Sequence, residues 1–523
     1  MTKITKHDLI LTIIPGVLFP LAFMVPYGGI LAWVLFIPFF IALQNKSPRN
    51  AFRLGMLAGT IANAIGTYWL IGTISRFGGF PDVISVLFLI ILSAYSGLSF
   101  AIFAFITTKL GLFRKPGLLS ALLIAAVWTS VEFLFPFLFP YGITNSQDKF
   151  IPVIQIFDLF GMYSLSFLIV LVNLTLMRLF QRLIENGPKP GLEVITSLAL
   201  IALTISYGFW KMGIEERRIA EAPKLKVGIV QANFDFFEKK ENNEDEISER
   251  HKSMSEALNS PDLIVWPETA IQAWIPVSSK FLATEGKRVV PEIKGTYFLV
   301  GGLSYRINKT DKDEITDADI ERFNTAFLTD PNGRILGKYN KIMLLLFGEH
   351  LPFASYFPSL KKISPASGDF TPGNELNILE IKEKGIKIAP LICYEDIIPS
   401  FSRKFVEKGA NLIVNITNDA WFGRSTAPYQ HLLISIPRAV ETRRYLIRAT
   451  NTGVSAVIDP LGRVVAETGI FERTTLETEV GIMNGDETLY TRTGNAFPWV
   501  CLAFWVGFAA VRIYVANTPR HKI

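Results

Sequence analysis

A chain of 523 residues, half of them hydrophobic and with a mean hydropathy of +0.33, is too apolar for an ordinary soluble protein. Its net charge of +6 is scattered between apolar runs rather than gathered into a basic stripe, which argues against a nucleic-acid partner. The two cysteines, Cys393 and Cys501, lie in unlike contexts, so no disulfide scaffold is expected and one thiol is free to react.

Apolar stretches near the ~20 residues that cross a bilayer occur at 9–25, 27–43, 54–74, 83–108, 117–139, 152–177, 193–210 and 495–516. They predict about eight transmembrane helices. Pro15, Pro20, Pro26 and Pro38 interrupt the first two, for which a single re-entrant hairpin is the alternative. No small-residue cleavage site marks a signal peptide. Cations set the orientation, because short cytoplasmic loops hold them in excess. Lys46, Arg49 and Arg53 follow the second stretch, Lys109, Arg114 and Lys115 the fourth, and Arg178, Arg182 and Lys189 the sixth. The opposite short loops hold only Arg76 and Lys149. Both termini are therefore expected in the cytoplasm, and the polar region between the last two stretches outside it. Glu132 and Asp158 fall within or beside spans, where a charge is costly, so structural pairing is their first reading and acceptor binding the second.

Residues 217–490 alternate β-branched runs with charged, helix-period segments, the pattern of a separate α/β domain between membrane parts at 1–216 and 491–523. Strands are expected at 225–231, 262–266, 296–303, 387–393 and 411–416, and helices at 244–258 and 428–447. Asp330-Pro331-Asn332-Gly333 and Asp459-Pro460-Leu461-Gly462 are hairpin turns, since Pro presets φ and Gly accepts φ above zero. No internal repeat is visible, and the charged run 238–250 reads as a solvated helix face.

Glu268, Lys341 and Cys393 each stand at or just after an apolar strand, where α/β sheets assemble sites. A cysteine attacks as thiolate, so it needs a base to take its proton and a cation to hold the charge that develops on the attacked carbonyl. Glu, Lys and Cys supply those three roles. Taken singly, each has a bland reading: an inert packed thiol, a hairpin-flanking lysine, a helix-capping glutamate. Glu349 alternatively bonds backbone, the run 342–347 is either a core strand or a lipid gate, and Trp421 with Phe422 are either core aromatics or an interfacial anchor beside the site. His350 and His431 lack the spacing of a metal site, and no metal or other cofactor is expected.

Together, Trp266-Pro267-Glu268, Tyr339-Asn340-Lys341 and Cys393-Tyr394-Glu395 resemble the nitrilase, or carbon-nitrogen hydrolase, superfamily. With the apolar spans, the chain is most similar to the apolipoprotein N-acyltransferase family. Phe347-Gly348-Glu349, Asn418-Asp419-Ala420-Trp421-Phe422-Gly423, Gln430-His431, Thr450-Asn451-Thr452-Gly453 and Phe157-Asp158-Leu159-Phe160-Gly161 extend the likeness over nearly the whole chain. The resemblance implies a four-layer αββα sandwich, with Glu268 as base, Lys341 and the Tyr394 N–H as oxyanion stabilisers, and Cys393 as nucleophile. Glu349 and Glu395 would support them. It also implies a monomer in the bacterial inner membrane with a periplasmic catalytic domain, a phospholipid acyl donor such as phosphatidylethanolamine, and a diacylated apolipoprotein acceptor. The chain departs from the family where Lys239 and Lys240 follow Gln231-Ala232-Asn233 with no nearby Trp. It departs again where Ile342-Met343-Leu344-Leu345-Leu346 replaces an arm that commonly holds His and Pro. A membrane-tethered amidase and a transporter or receptor with an outer sensory domain are the competing functions.

Overall fold

The structure, a computed structural model, describes residues 3–140, 142–185, 191–234, 244–308, 316–345, 349, 369–485 and 487–518. Lys239, Lys240, Phe347, Gly348, His350 and the end of the apolar run at 346–347 lie outside them. The chain divides into two units, Met1–Ile71 with Asp82–Gly213 and Thr493–Ile523, and Gly72–Pro81 with Ile214–Arg492.

Among the described residues, five helices are long and apolar enough to cross a membrane: Lys6–Met24, Asp82–Lys109, Tyr163–Ile184, Leu192–Glu221 and Ala496–Asn517. The bent pair Pro48–Gly66 and Leu70–Arg76 makes a sixth if counted as one span. The stretch expected at 27–43 is not one helix. Tyr27 takes a left-handed φ of 58° after Pro26, and the chain continues as a 3-10 turn, Gly28–Trp33, and a short helix, Ile37–Leu43. Tyr27, Ile30 and Val34 are exposed, whereas Phe36, Phe39 and Phe40 are fully buried, so the second half of this segment fills the interior. The helix Leu118–Leu134 is also shorter than a full span. Lacking water to drive them together, membrane helices associate by close packing of small residues. A Cβ on Gly59 would meet the Gly97 Cα at 2.7 Å, and one on Gly55 the Ala101 Cα at 2.6 Å, which holds Pro48–Gly66 tightly against Asp82–Lys109. Leu198, Leu203, Val511 and Val515 stay more than 60 % exposed, an apolar surface suited to acyl chains. Asp158 is paired structurally, accepting from the Tyr207 hydroxyl at 2.7 Å with Lys211 at 3.5 Å, whereas Glu132 accepts from the Ile143 N–H at 3.0 Å through Oε1 and its buried Oε2 meets no hydrogen-bond partner among the described residues.

Among its described residues the second unit holds fifteen strands, in chain order β1 (Lys224–Gln231), β2 (Leu263–Val265), β3 (Ile271–Pro276), β4 (Ala283–Thr284), β5 (Lys287–Arg288), β6 (Tyr297–Ile307), β7 (Ile320–Thr329), β8 (Ile335–Asn340), β9 (Leu379–Ile381), β10 (Ile386–Ile392), β11 (Leu412–Thr417), β12 (Leu446–Thr450), β13 (Ala456–Ile458), β14 (Val464–Glu467) and β15 (Thr474–Gly481). One sheet runs β15-β1-β2-β6-β7-β8 with β3 beside β6, a second runs β14-β13-β12-β11-β10-β9, and β4 and β5 form a separate two-stranded sheet. Period-two alternation sends successive side chains to opposite faces. Val227, Ile229, Leu263 and Val265 therefore share one face of the first sheet and join a core with Ile388, Val414 and Ile447, which share one face of the second. Val230, Ile264 and Trp266 face the other way and pack with Ile247 of the helix Glu244–Glu256. Phe405 of Pro399–Glu407 and Ile436 of Ala427–Thr442 complete the core on the second sheet's helical side. The result is an αββα sandwich.

Both expected hairpin turns form, with Gly333 at φ 78° and Gly462 at φ 84°. The helix expected over 428–447 ends at Thr442 instead. Arg443 turns left-handed at φ 53° and the chain enters β12 three residues later.

Candidate active site

Cys393 ends β10 at φ 53° and opens a 3-10 turn, Cys393–Ile397. Such a φ is uncommon for a residue with a side chain and sets the cysteine on a sharp bend beyond the strand. β10, β11 and β12 run parallel, as do β1, β2 and β6, so Cys393 and Glu268 both lie past the carboxyl ends of parallel strands. Lys341 follows β8, its N–H bonded to the Asn324 carbonyl of β7 at 2.8 Å. Gly301 of β6 lets the Glu268 loop approach: a Cβ there would meet the Pro267 carbonyl oxygen at 2.4 Å and the Glu268 Cα at 2.7 Å.

The Lys341 ammonium is 1 % exposed, so its charge depends on protein partners. It has two. Glu268 Oε1 lies 3.3 Å away, and Glu349 accepts at 2.9 Å through Oε1 and 2.7 Å through Oε2. Asn324 Nδ2 donates to both carboxylates, at 2.7 and 3.1 Å, and the Leu345 N–H donates to Glu349 at 2.9 Å. Burial opposes the ammonium, but Cys393, Glu268 and Glu349 outweigh it and raise the Lys341 pKa well above its ordinary value. Burial also raises the Glu268 carboxyl, with Lys341 opposing and Glu349 adding to the rise. The Cys393 thiol is likewise raised, chiefly by burial and by Glu268, while Lys341 favours the thiolate.

Glu395 is wholly buried and acts as a tie. Its Oε1 accepts from the Tyr339 hydroxyl at 2.8 Å and the Ile342 and Met343 N–H groups at 2.7 and 3.1 Å. Its Oε2 accepts from the Ile392 N–H at 2.8 Å, which joins the arm after Lys341 to the end of β10. Burial holds its carboxyl near 7. Tyr394 is half-buried, and its phenol is pushed up to about 12 by burial and by Cys393. Trp421 and Phe422, also half-buried, lie on a separate 3-10 turn, Asp419–Phe422. Among the described residues no group of three or more metal-ligating side chains is found.

Residues 226–484 match the carbon-nitrogen hydrolase family, and residues 15–175 match the apolipoprotein N-acyltransferase N-terminal domain. A relative from Geobacter metallireducens, an apolipoprotein N-acyltransferase, is 36 % identical over 96 % of this chain and 94 % of its own. The chain belongs to the apolipoprotein N-acyltransferase family. A second family member, from Bdellovibrio bacteriovorus, is 29 % identical over 92 % of this chain and 91 % of its own. Among solved structures, an amidase from Nesterenkonia sp. AN1 carrying acetamide on its active-site cysteine aligns with 53 % of this chain and 96 % of its own. The identity is 19 % and the TM-score 0.37.

The candidate site holds further residues that the sequence alone does not single out. Asn324 bridges the two carboxylates, and Asn415 Nδ2 donates to the Cys393 carbonyl at 3.1 Å. Tyr339, noted only as the start of Tyr-x-Lys, anchors Glu395. Arg448, inside the apolar run Leu446-Ile447-Arg448-Ala449, carries the signal that could have found it: a charge amid strand residues needs a buried partner. His431, which the sequence marks as part of the Gln430-His431 motif but assigns no role, lies between Asp396 and Asp419.

Proposed function

We propose that this membrane protein moves a fatty acyl chain from a phospholipid to the N-terminal amine of a diacylglyceryl-cysteine lipoprotein, through a thioester on Cys393. One observation carries the reading: a buried ammonium, Lys341, is held between Glu268 and Glu349, and Cys393 stands on a sharp bend past the end of β10. Glu268 takes the thiol proton, and the sulfur attacks the ester carbonyl. A C–S bond forms, Lys341 and the Tyr394 N–H stabilise the oxyanion, and the C–O bond breaks. The lysophospholipid departs with the proton from Glu268. The acceptor amine then attacks the thioester, an amide C–N bond forms, the C–S bond breaks, and the amine's proton returns through Glu268 to the thiolate. Glu349 fixes Lys341 and Glu395 fixes the arm. Trp421 and Phe422 are assigned to the substrate loop. The catalytic domain, residues 217–490, works on the periplasmic side of the inner membrane as a monomer, with phosphatidylethanolamine as donor. A thioester suits this task, because it is labile enough to acylate an amine.

Intact-protein mass spectrometry of purified enzyme with phosphatidylethanolamine, followed by a diacylglyceryl-cysteine peptide, tests the cycle. A hydroxylamine-sensitive acyl mass on Cys393 that moves to the peptide amine is expected. Release as free fatty acid despite the peptide would indicate a hydrolase, and no adduct on folded protein would return the chain to the sensor or transporter reading.

A further inference from the structure

Behind the nucleophile turn, two buried carboxylates and a buried arginine meet a largely buried histidine. Asp396 shares the 3-10 turn with Cys393, and Asp419 opens the turn that carries Trp421 and Phe422. Both carboxylates are fully buried, where an unpaired charge is costly. Arg448 of β12 reaches the two of them, one nitrogen pairing with Asp396 Oδ2 and the other lying 3.2 Å from Asp419 Oδ2. His431, from the helix Ala427–Thr442, does the same on their remaining oxygens, with Nε2 3.0 Å from Asp396 Oδ1 and Nδ1 2.9 Å from Asp419 Oδ1. Ionised carboxylates only accept hydrogen bonds, and an imidazole has two N–H groups only when protonated. Two anions then meet two cations. Removing the imidazole proton would leave a net negative charge in the interior and two acceptors facing each other.

The same arginine reaches the nucleophile by a second route. Arg448 donates to Asn415 Oδ1 at 3.2 Å, and Asn415 Nδ2 holds the Cys393 carbonyl at 3.1 Å. A residue kept at φ 53° needs its surroundings to hold it there. On the other side, Thr73 Oγ1 donates to the Trp421 carbonyl at 3.0 Å. A Cβ on Gly453 would meet Asp419 Oδ2 at 2.2 Å, so Thr450-Asn451-Thr452-Gly453 closes directly over this carboxylate.

We propose that Arg448 and a protonated His431 are positioning residues for acyl transfer, clamping the Cys393 turn and the Trp421-Phe422 turn together, and that the clamp loosens when His431 gives up its proton. The rate readout rests on the acyl-transfer reading; the clamp itself does not. The charged groups facing His431 are Asp396 from the Cys393 turn, Asp419 from the Trp421 turn and Arg448 from β12. Burial and Arg448 pull the imidazole pKa down, and the two carboxylates outweigh them and raise it. The Asp419 carboxyl is correspondingly lowered by His431 and Arg448 against its burial. With a raised histidine value, the clamp is whole at low pH and is lost as pH rises through that value.

Two measurements on the full-length protein test this. Histidine C2-hydrogen exchange followed by mass spectrometry reads the titration of His431 without any activity. It should titrate above the ordinary ~6.5, and Asp396→Asn should lower it. The second measurement is the rate of acyl-Cys393 formation from phosphatidylethanolamine across the same pH range, for wild type, His431→Gln and Arg448→Lys. Gln keeps one donor and cannot titrate. Its rate should fall about tenfold or more below the His431 titration point, as expected for a displaced reacting group, and the two profiles should converge above it. Arg448→Lys keeps the charge but loses the fork, and should be slow throughout. If that variant does not fold, His431→Gln, similar in size and in its remaining donor, still decides. His431 titrating at or below the ordinary value, or His431→Gln running parallel to wild type, would overturn the clamp. A wild type that forms no acyl adduct while His431 titrates high would remove the acyl-transfer reading and leave the clamp standing.

Discussion

Gly301→Ala isolates the placement of Glu268 from its chemistry. The new Cβ would stand 2.4 Å from the Pro267 carbonyl oxygen, 2.7 Å from the Glu268 Cα and 2.9 Å from the Thr269 nitrogen, and all three are backbone atoms that cannot swing aside. Real Cβ atoms keep at least 3.0 to 3.4 Å from such neighbours. The Glu268 loop must therefore retreat by about 0.6–1 Å, with an overpacking cost of about 1–3 kcal/mol. A displacement of that size away from Lys341 stretches the 3.3 Å contact with Glu268 to the edge of ion-pair range and weakens the 2.7 Å bond from Asn324. A misplacement of ~1 Å at a reacting group costs on the order of 10²-fold in rate. Single-turnover formation of the acyl-enzyme should thus slow by about that factor while the domain stays folded, given the modest packing cost. Time-resolved intact mass spectrometry measures the rate, and thermal melting in detergent checks the fold. A folded Gly301→Ala enzyme acylating within about twofold of wild type would refute the role given to Glu268, because the geometry leaves no room for both.

Four further outcomes are expected. Glu268→Gln should prevent the adduct from forming, whereas Cys393→Ser should stall the cycle or leave an unreactive ester; undiminished turnover in either, by the same mass assay, would remove the mechanism. Asn324→Leu takes a donor from Glu268 and Glu349 together. With hydrogen bonds to charged groups worth about 1.5–3 kcal/mol each, acylation should fall at least about tenfold. The Glu268 carboxyl is raised above its ordinary 4.5 by burial and then by Glu349, so the basic form appears only as pH rises through that raised value. The acid limb of kcat/KM should accordingly lie above 4.5, and the stability that protonated Glu268 contributes should be complete below 4.5 and lost as pH rises through the raised value. Finally, a membrane-impermeant thiol reagent outside intact spheroplasts should label Cys393, and labelling only from the cytoplasmic face would invert the proposed orientation.

Strand positions in the sandwich were legible because a half-buried strand must alternate, and all five expected strands appear within a residue or two at their starts. The residues brought together at the site were legible in part, since Glu268, Lys341 and Cys393 each mark the end of an apolar run. Their mutual supports were not. Asp396 and Arg448 are 52 residues apart and Asn324 and Glu268 are 56 apart, and periodicity reports which face a side chain takes, not which distant partner meets it there. β12 was hidden for a different reason. It follows an amphipathic helix with neither Gly nor Pro between, and the break is made by Arg443 in a left-handed turn that arginine rarely signals. In the membrane part, hydropathy marked 27–43 as one span, because a phenylalanine-rich run such as the buried Phe36, Phe39 and Phe40 reads alike whether it meets lipid or other helices.

The charge arrangement explains how the proposed cycle can run in so buried a site. Before attack, Lys341 is positive, Glu268 and Glu349 are negative and Cys393 is neutral. Passing the thiol proton to Glu268 moves a negative charge from one carboxylate to the sulfur without changing the sum, so low dielectric does not oppose the transfer as it would a net ionisation. Burial raises the carboxyl, which makes Glu268 a stronger base, and Lys341 favours the thiolate against the burial that raises the thiol. Lys341 remains positive throughout, because the same neighbours raise its pKa well above the ordinary value. It can therefore stabilise the oxyanion in both half-reactions while Glu268 alone shuttles the proton. The chemical difference between transfer and hydrolysis then lies outside these groups, in whether an amine or water reaches the thioester first. That choice falls to the surroundings of Cys393, which is where holding the nucleophile turn and the Trp421-Phe422 turn in one arrangement would matter most.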